Sequence, residues 1–204
     1  MYRPSYSIHD NPKHALQLIQ DFPLGLLIST ADGVVETNYL PFLAGEAEDG
    51  QILLITHMAR SNPQWKNLGS EVLVSFQGPN RYISPTMYVG KNNVPTWNYA
   101  TVQICGKPEI VMDAKGIQEI LQSSVEFFEA RNGTSWTYNL PLAMKERLEA
   151  AIVGVRIQAA SVAKFKLGQN RSDEDYEFML DWLKKSEKPM DREIVEWMMK
   201  RGSR

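Results

Sequence analysis

The sequence predicts a mainly β member of the α+β class: an antiparallel, Greek-key-like barrel with peripheral helices and a C-terminal helical tail. Three observations carry that expectation. Short apolar runs bounded by turn residues fill most of positions 24–105. Strand-like and helix-like segments do not alternate regularly, which makes a doubly wound parallel sheet the weaker reading. Finally, 204 residues that are 43% hydrophobic can bury one sizeable core and still supply accessory helices.

Asp10-Asn11-Pro12 ahead of Ala15, Leu16, Leu18 and Ile19 reads as a capped helix with proline in its first turn, ending before Pro23. Runs at 24–30 and 34–42 flank Asp32-Gly33 and form an expected hairpin, with a loop following through Gly50. A strand at 52–56 leads to a brief helix launched at Ser61-Asn62-Pro63 and stopped near Gly69, then a strand at 72–76. Gly78, Pro79 and Pro85 mark turn material, and another strand covers 98–105, ahead of Gly106 and Pro108. Asp113 opens a helix in which Ile117, Ile120, Leu121, Val125 and Phe128 recur at helical spacing, closing at Asn132-Gly133. A weaker helix at 140–149 precedes a strand at 152–159, where Val153, Val155 and Ile157 alternate with Gly154 and Arg156. Ser172-Asp173-Glu174-Asp175 has the form of a capping box, worth about 1 kcal/mol, at the start of an amphipathic helix carrying Tyr176, Met179, Leu180 and Leu183. The expected division is a barrel domain over 1–171 and a helical extension over 172–204, packed on the same domain or on a dimer partner.

Composition narrows the function classes. A net charge of −2 gives no global attraction to nucleic acid, so any DNA contact is expected to be local. The first residues show no signal-peptide-like run, and no later segment reaches the roughly 18 uninterrupted apolar residues of a membrane span, so a cytoplasmic protein is expected. Cys105 stands alone and the histidines number three, which disfavours a Cys/His metal centre. Cys105 is expected to be a small buried hydrophobe and His57 a hydrogen-bonded structural residue. There is no GxGxxG or P-loop motif, and spacing assembles no Ser-His-Asp or paired-carboxylate arrangement.

Four clusters hold the polar information. In the first, from Thr56 to Trp65, Arg60, the Ser61 hydroxyl and free N–H groups at a helix start could converge on a terminal phosphate. Equally, Ser61 or Asn62 could only cap the helix while Arg60 is a solvated or paired charge. The second, from Gly78 to Tyr88, presents Arg81, Tyr82, Ser84 and Tyr88 from a proline-stiffened connection, either as a ligand wall or as a barrel corner. In the third, Val94 to Tyr99, Trp97 supplies a flat apolar face with Thr96 and Asn98 at its edges. Such a set suits a planar heteroaromatic ring or ordinary core packing. In the fourth, Ala163 to Arg171, extended backbone would direct Lys164 and Lys166 the same way. They could neutralise a phosphate or the anionic edge of a reduced flavin, or form a solvated basic loop.

In their order and spacing these clusters resemble the PaiB family of FMN-binding-domain proteins, also described as FMN-binding negative transcriptional regulators. The resemblance rests on Met1-Tyr2-Arg3-Pro4, Leu40-Pro41-Phe42, His57 through Trp65, Gly78-Pro79 with Tyr82-Ile83-Ser84-Pro85, Val94 through Tyr99, and Lys164 through Leu167 with Gln169-Asn170-Arg171. It implies a split β-barrel, a homodimer, and FMN in a cleft lined by both subunits. Carried over residue by residue, it nominates Arg60, Asn62, Lys164, Lys166 and Gln169 for the phosphate or ribityl chain. His57, Tyr88, Thr96, Trp97 and Asn98 are nominated for the ring. Tyr39, Met87 and Gly168 depart from the family pattern, where His, Trp and Ser are expected.

Three functions follow as alternatives. A flavin-responsive regulator agrees with the resemblance, although no clear helix-turn-helix is legible. Its DNA or regulatory-protein contact would fall on the basic tail, through Lys184, Lys185, Lys188, Arg192, Lys200, Arg201 and Arg204. An FMN-dependent oxidoreductase would leave the chemistry to the cofactor and use the protein for orientation. A carrier of flavin or haem would need no turnover.

Overall fold

The computed structural model describes residues 1–7 and 11–200; Asp10 of the expected helix cap and Arg201 and Arg204 of the basic tail lie outside them. The chain forms strands β1 (Leu24–Ala31), β2 (Val34–Pro41), β3 (Leu43–Glu46), β4 (Ile52–Ala59), β5 (Val72–Ile83), β6 (Thr96–Gly106), β7 (Pro108–Val111), β8 (Ile152–Ala159) and β9 (Ser161–Lys166). Its helices are α1 (Pro12–Asp21), α2 (Ala114–Asn132), α3 (Leu142–Ala150), α4 (Asp173–Lys184) and α5 (Pro189–Lys200). Strand order is β2-β1-β5-β6-β9 in one sheet and β3-β4-β8-β7 in the other. The mainly β, α+β class with peripheral and C-terminal helices is thus the observed one. No described helix is long and apolar enough to cross a membrane.

Several expectations are corrected. β3 replaces an expected loop, β7 stands where no element was expected, and β9 takes the extended of the two readings of its segment. Strands of four residues, as β3 and β7 are, give too short a pattern to announce themselves. β5 continues through Gly78 and Pro79, expected as turn material, so Arg81 and Tyr82 stand on a strand. The proline forfeits one ladder donor and the strand runs on. The expected helix after Asn62 is a four-residue 3-10 turn, Pro63–Lys66. Cys105 is exposed, because the alternation of β6 buries Asn98, Ala100, Val102 and Ile104 instead.

The chain divides into two compact units. One comprises Pro12–Phe76 and Gln103–Ser161. Its β1–β2 hairpin turns at Asp32 and Gly33, both at positive φ (52° and 77°), as a tight hairpin turn demands. β4 pairs with β8 over eight residues, from Ile52↔Ala159 to Ala59↔Ile152. Leu54, Val153, Val155 and Ile157 fill the core side, with Phe42 edge-on to Phe76 at 5.4 Å. Asp113 caps α2 by accepting from Gly116 N at 2.8 Å. α2 seats so closely that a Cβ on Gly154 would stand 2.5 Å from Ile120 Cδ1. A buried polar knot holds the 3-10 turn: Gln64 Nε2 donates to Ser29 Oγ (3.2 Å) and Glu36 O (3.1 Å), and Gln64 Oε1 accepts from Asn38 Nδ2 (2.9 Å).

The other unit comprises Met1–Asn11, Gln77–Val102 and Val162–Arg204. Ser172 caps α4, its Oγ accepting from Asp175 N. The apolar faces of α4 and α5 bury Met179, Leu183, Ile194 and Met198, and Tyr176 Oη donates to Met198 O at 3.1 Å. Phe165 of β9 stands edge-on to Trp197 of α5, ring centroids 5.5 Å apart. Arg81 of β5 pairs with the fully buried Asp191 of α5 at 2.7 Å. The tail is therefore part of this unit's core.

Candidate functional site

β9 alternates, with Ala163 and Phe165 inward and Lys164 and Lys166 on the opposite side. Lys164 Nζ lies 5.4 Å from the Tyr99 ring centroid and 5.6 Å from that of Tyr2. Lys166 Nζ donates to Thr96 Oγ1, which joins the end of β9 to the start of β6. The Lys166 ammonium is held below the usual lysine range, first by partial burial, then by the positive charges of Arg171 and Lys164. A lysine pressed by two further cations is stabilised by an anion, and a phosphate at hydrogen-bonding distance supplies one.

Arg171 follows the turn out of β9. Its guanidinium donates to Asn93 Oδ1 at 3.0 Å and stacks over Tyr88, 4.7 Å from the ring centroid. Tyr88 is buried, and burial raises its phenol above the usual value while Arg171 opposes the shift. Trp97 is 52% exposed, an unusual position for the largest side chain. Tyr82 braces it edge-on at 5.9 Å, so a flat indole face is presented to solvent in a fixed orientation.

The structure therefore brings Tyr88, Thr96, Trp97, Lys164 and Lys166 into one compact unit, with Arg171 stacked over Tyr88 and its charge bearing on Lys166. Asn98 and Gln169 share that unit but face inward. Asn98 Nδ2 donates to Met179 Sδ at 3.5 Å. The Gln169 amide accepts from Leu167 N and donates to Tyr6 O, both at 2.6 Å, fixing the turn between β9 and α4.

His57, Arg60 and Asn62 belong to the other unit. His57 lies on β4 opposite Gly154, and burial lowers its pKa, favouring the neutral ring. Arg60 directs Nε to Ala150 O (2.8 Å) and Nη2 to Ile152 O (3.1 Å), satisfying carbonyls at the end of α3 and the start of β8. Asn62 Oδ1 accepts from Gln64 N at 3.0 Å as the cap of the 3-10 turn. Sequence reasoning named Arg171 in a motif and Asp175 in a capping box but nominated neither of them, nor Asn93, for the site. Their convergence comes from a loop and a helix about 80 residues apart, which no local pattern reports.

Residues 1–161 match the family described as "Putative FMN-binding domain". The chain is 32% identical over 203 residues to the protease synthase and sporulation protein PAI 2 of Bacillus subtilis, covering 97% of this chain and 96% of that one. Among solved structures it is similar to a flavocytochrome from Azotobacter vinelandii, with a TM-score of 0.63 and 15% identity, over 87% of this chain and 78% of that one. An FAD- and haem-binding protein from Mycobacterium smegmatis is similar at a TM-score of 0.61 and 15% identity, over 83% and 78% respectively. These two likenesses establish the fold, an antiparallel split-barrel architecture.

Proposed function

We propose, from the premise that this chain belongs to the FMN-binding-domain family that its residues 1–161 match, that it binds FMN with Lys164, Lys166 and Arg171 around the phosphate and Trp97 against the ring. The carrying observation is Lys166, tied to Thr96 at the junction of β9 and β6, whose ammonium is disfavoured first by partial burial and then by the positive charges of Arg171 and Lys164. The residues fit the group. The cations match a dianionic phosphate, Thr96 adds a hydroxyl, and the braced indole offers apolar area to a conjugated ring. When bound, FMN supplies redox-active ring chemistry. The protein's own contribution is charge neutralisation by Lys164 and Lys166, orientation by Thr96, and ring contact through Trp97.

Within that reading, the chain acts as a flavin-responsive negative regulator and works as a homodimer. The Bacillus relative, named for protease synthesis and sporulation, supports a regulatory output over a single reaction. A regulator requires the flavin to favour one conformation over another. An oxidoreductase is the second reading, supported by likeness to a flavocytochrome. The absorption spectrum of protein purified without added cofactor tests the ligand: flavin bands support the reading, and a Soret band alone overturns it. Gel-shift titration with and without FMN then separates the outputs. Sequence-preferring binding that responds to FMN supports the regulator, whereas NAD(P)H oxidation without DNA binding supports the enzyme.

A further inference from the structure

We infer that Asp175 is a positioning residue for the candidate flavin site, holding the 89–93 loop, and with it the Thr96-Trp97 entry to β6, from the first turn of α4. The inference rests on the site reading above. The chain between Met87 and Thr96 contains no helix or strand, so its placement depends on what its polar groups meet. Asp175 Oδ1 accepts from Val89 N at 2.9 Å and from Gly90 N at 3.0 Å. Oδ2 accepts from Asn93 Nδ2 at 3.1 Å, and that same amide nitrogen donates to Gly90 O at 2.9 Å. One carboxylate thus closes the loop on itself and onto a helix.

The closure is tight. A Cβ on Gly90 would stand 2.9 Å from Asn93 Nδ2 and 3.5 Å from Asp175 Oδ2. Asp175 is itself fixed, because its N–H is the one that Ser172 caps. The Gly90, Asn93 and Val89 donors lower the Asp175 pKa, with a smaller contribution from Arg171, so the carboxylate is charged at neutral pH. Asn93 also carries the network onward: its Oδ1 receives Arg171 Nη1, and Arg171 presses on Lys166. One end of the network therefore sets the loop before Trp97, and the other sets a cation of the proposed phosphate cluster. Asp175 and Arg171 lie beyond residue 161, where the family match ends.

The test uses the full chain and three variants, Asp175→Ala, Asp175→Glu and Asn93→Ala. Hydrogen exchange of the 89–95 amides is measured without ligand, and FMN is titrated by flavin fluorescence and by the visible circular dichroism of bound flavin. For Asp175→Ala the expected results are faster exchange confined to 89–95, an FMN affinity lower by about tenfold, the scale of one net hydrogen bond, and an altered dichroic band at saturation. Asp175→Glu, which keeps the carboxylate, is expected to recover loop protection and the band. Asn93→Ala breaks the network from the loop side and stands in should Asp175→Ala fail to fold. Unchanged exchange in the 89–95 segment overturns the inference, as does faster exchange with unchanged affinity and dichroism. A wild-type protein that takes up no FMN overturns the site reading itself and is read independently, from the unmutated chain.

Discussion

Lys166 sits where desolvation and two neighbouring positive charges all disfavour its charge. A depressed lysine pKa means the folded protein binds fewer protons than the unfolded chain between the lowered value and 10.5, so this group destabilises the fold below that window. A bound phosphate reverses the balance and draws a proton onto the amine. FMN binding at alkaline pH is therefore expected to proceed with proton uptake, measurable as a buffer-dependent enthalpy in titration calorimetry, and Lys166→Ala should abolish it. His57 is shifted in the same direction by burial alone. Burial lowers its pKa below 6.5, so its contribution is present above that value and is lost as pH falls towards the lowered one. His57→Gln is expected to flatten the stability profile below pH 6.5, as followed by urea unfolding. Gly168 explains one departure from the family pattern: its φ is 85°, and a Cβ there would lie 2.6 Å from Met179 Cε. Gly168→Ser is expected to cost about 1–3 kcal/mol of stability, the range for a non-glycine residue forced into that backbone region. The serine expected by resemblance is disfavoured by this left-handed backbone, and Met179 of the neighbouring helix α4 would have to shift to admit its Cβ.

At the scale of elements, the Arg81–Asp191 pair ties α5 to β5. Asp191 is fully buried, and its Oδ2 has no hydrogen-bond partner among the described residues. Breaking such a pair leaves an uncompensated charge inside, so Asp191→Ala is expected to lower the unfolding free energy by about 3–5 kcal/mol in urea titration. Arg81→Leu combined with Asp191→Leu, which removes both charges, should cost less. The elements that were legible in the sequence are those with a strong local signal. Asp113 and Gly133 bound α2, Ser172 opens α4, and Asp32-Gly33 turns the first hairpin. The strands that escaped are those whose existence is decided by a neighbour. β7 is four residues long and forms only because β8 offers a ladder from Pro108↔Ile157 to Val111↔Gly154. Part of the site was legible for the same reason. Lys164 and Lys166 alternate along a strand, and Trp97 stands at the start of one, whereas the inward commitment of Asn98 and Gln169 depends on Met179 and Tyr6 far along the chain.

At the scale of the molecule, the nominated residues fall in different units: Lys164, Lys166, Thr96 and Trp97 lie in one, and His57, Arg60 and Asn62 lie in the other. Homodimerisation is part of the proposed reading, and an obligate pair usually buries on the order of 2,000 Å² or more. Sedimentation is expected to show a dimer across dilution, and a concentration-independent monomer would remove that part of the reading. The central claim is that the Lys164–Lys166–Arg171 cluster exists to hold a phosphate. Its most direct measurement is the difference in affinity between FMN and riboflavin, which share a ring and differ in the phosphate, on the wild-type chain and on Lys166→Ala. The expected result is that FMN binds more tightly than riboflavin, and that Lys166→Ala removes about 1.5–3 kcal/mol of that preference while leaving riboflavin unchanged. Equal affinity of the wild-type chain for the two flavins, or a preference that survives the substitution intact, would contradict it.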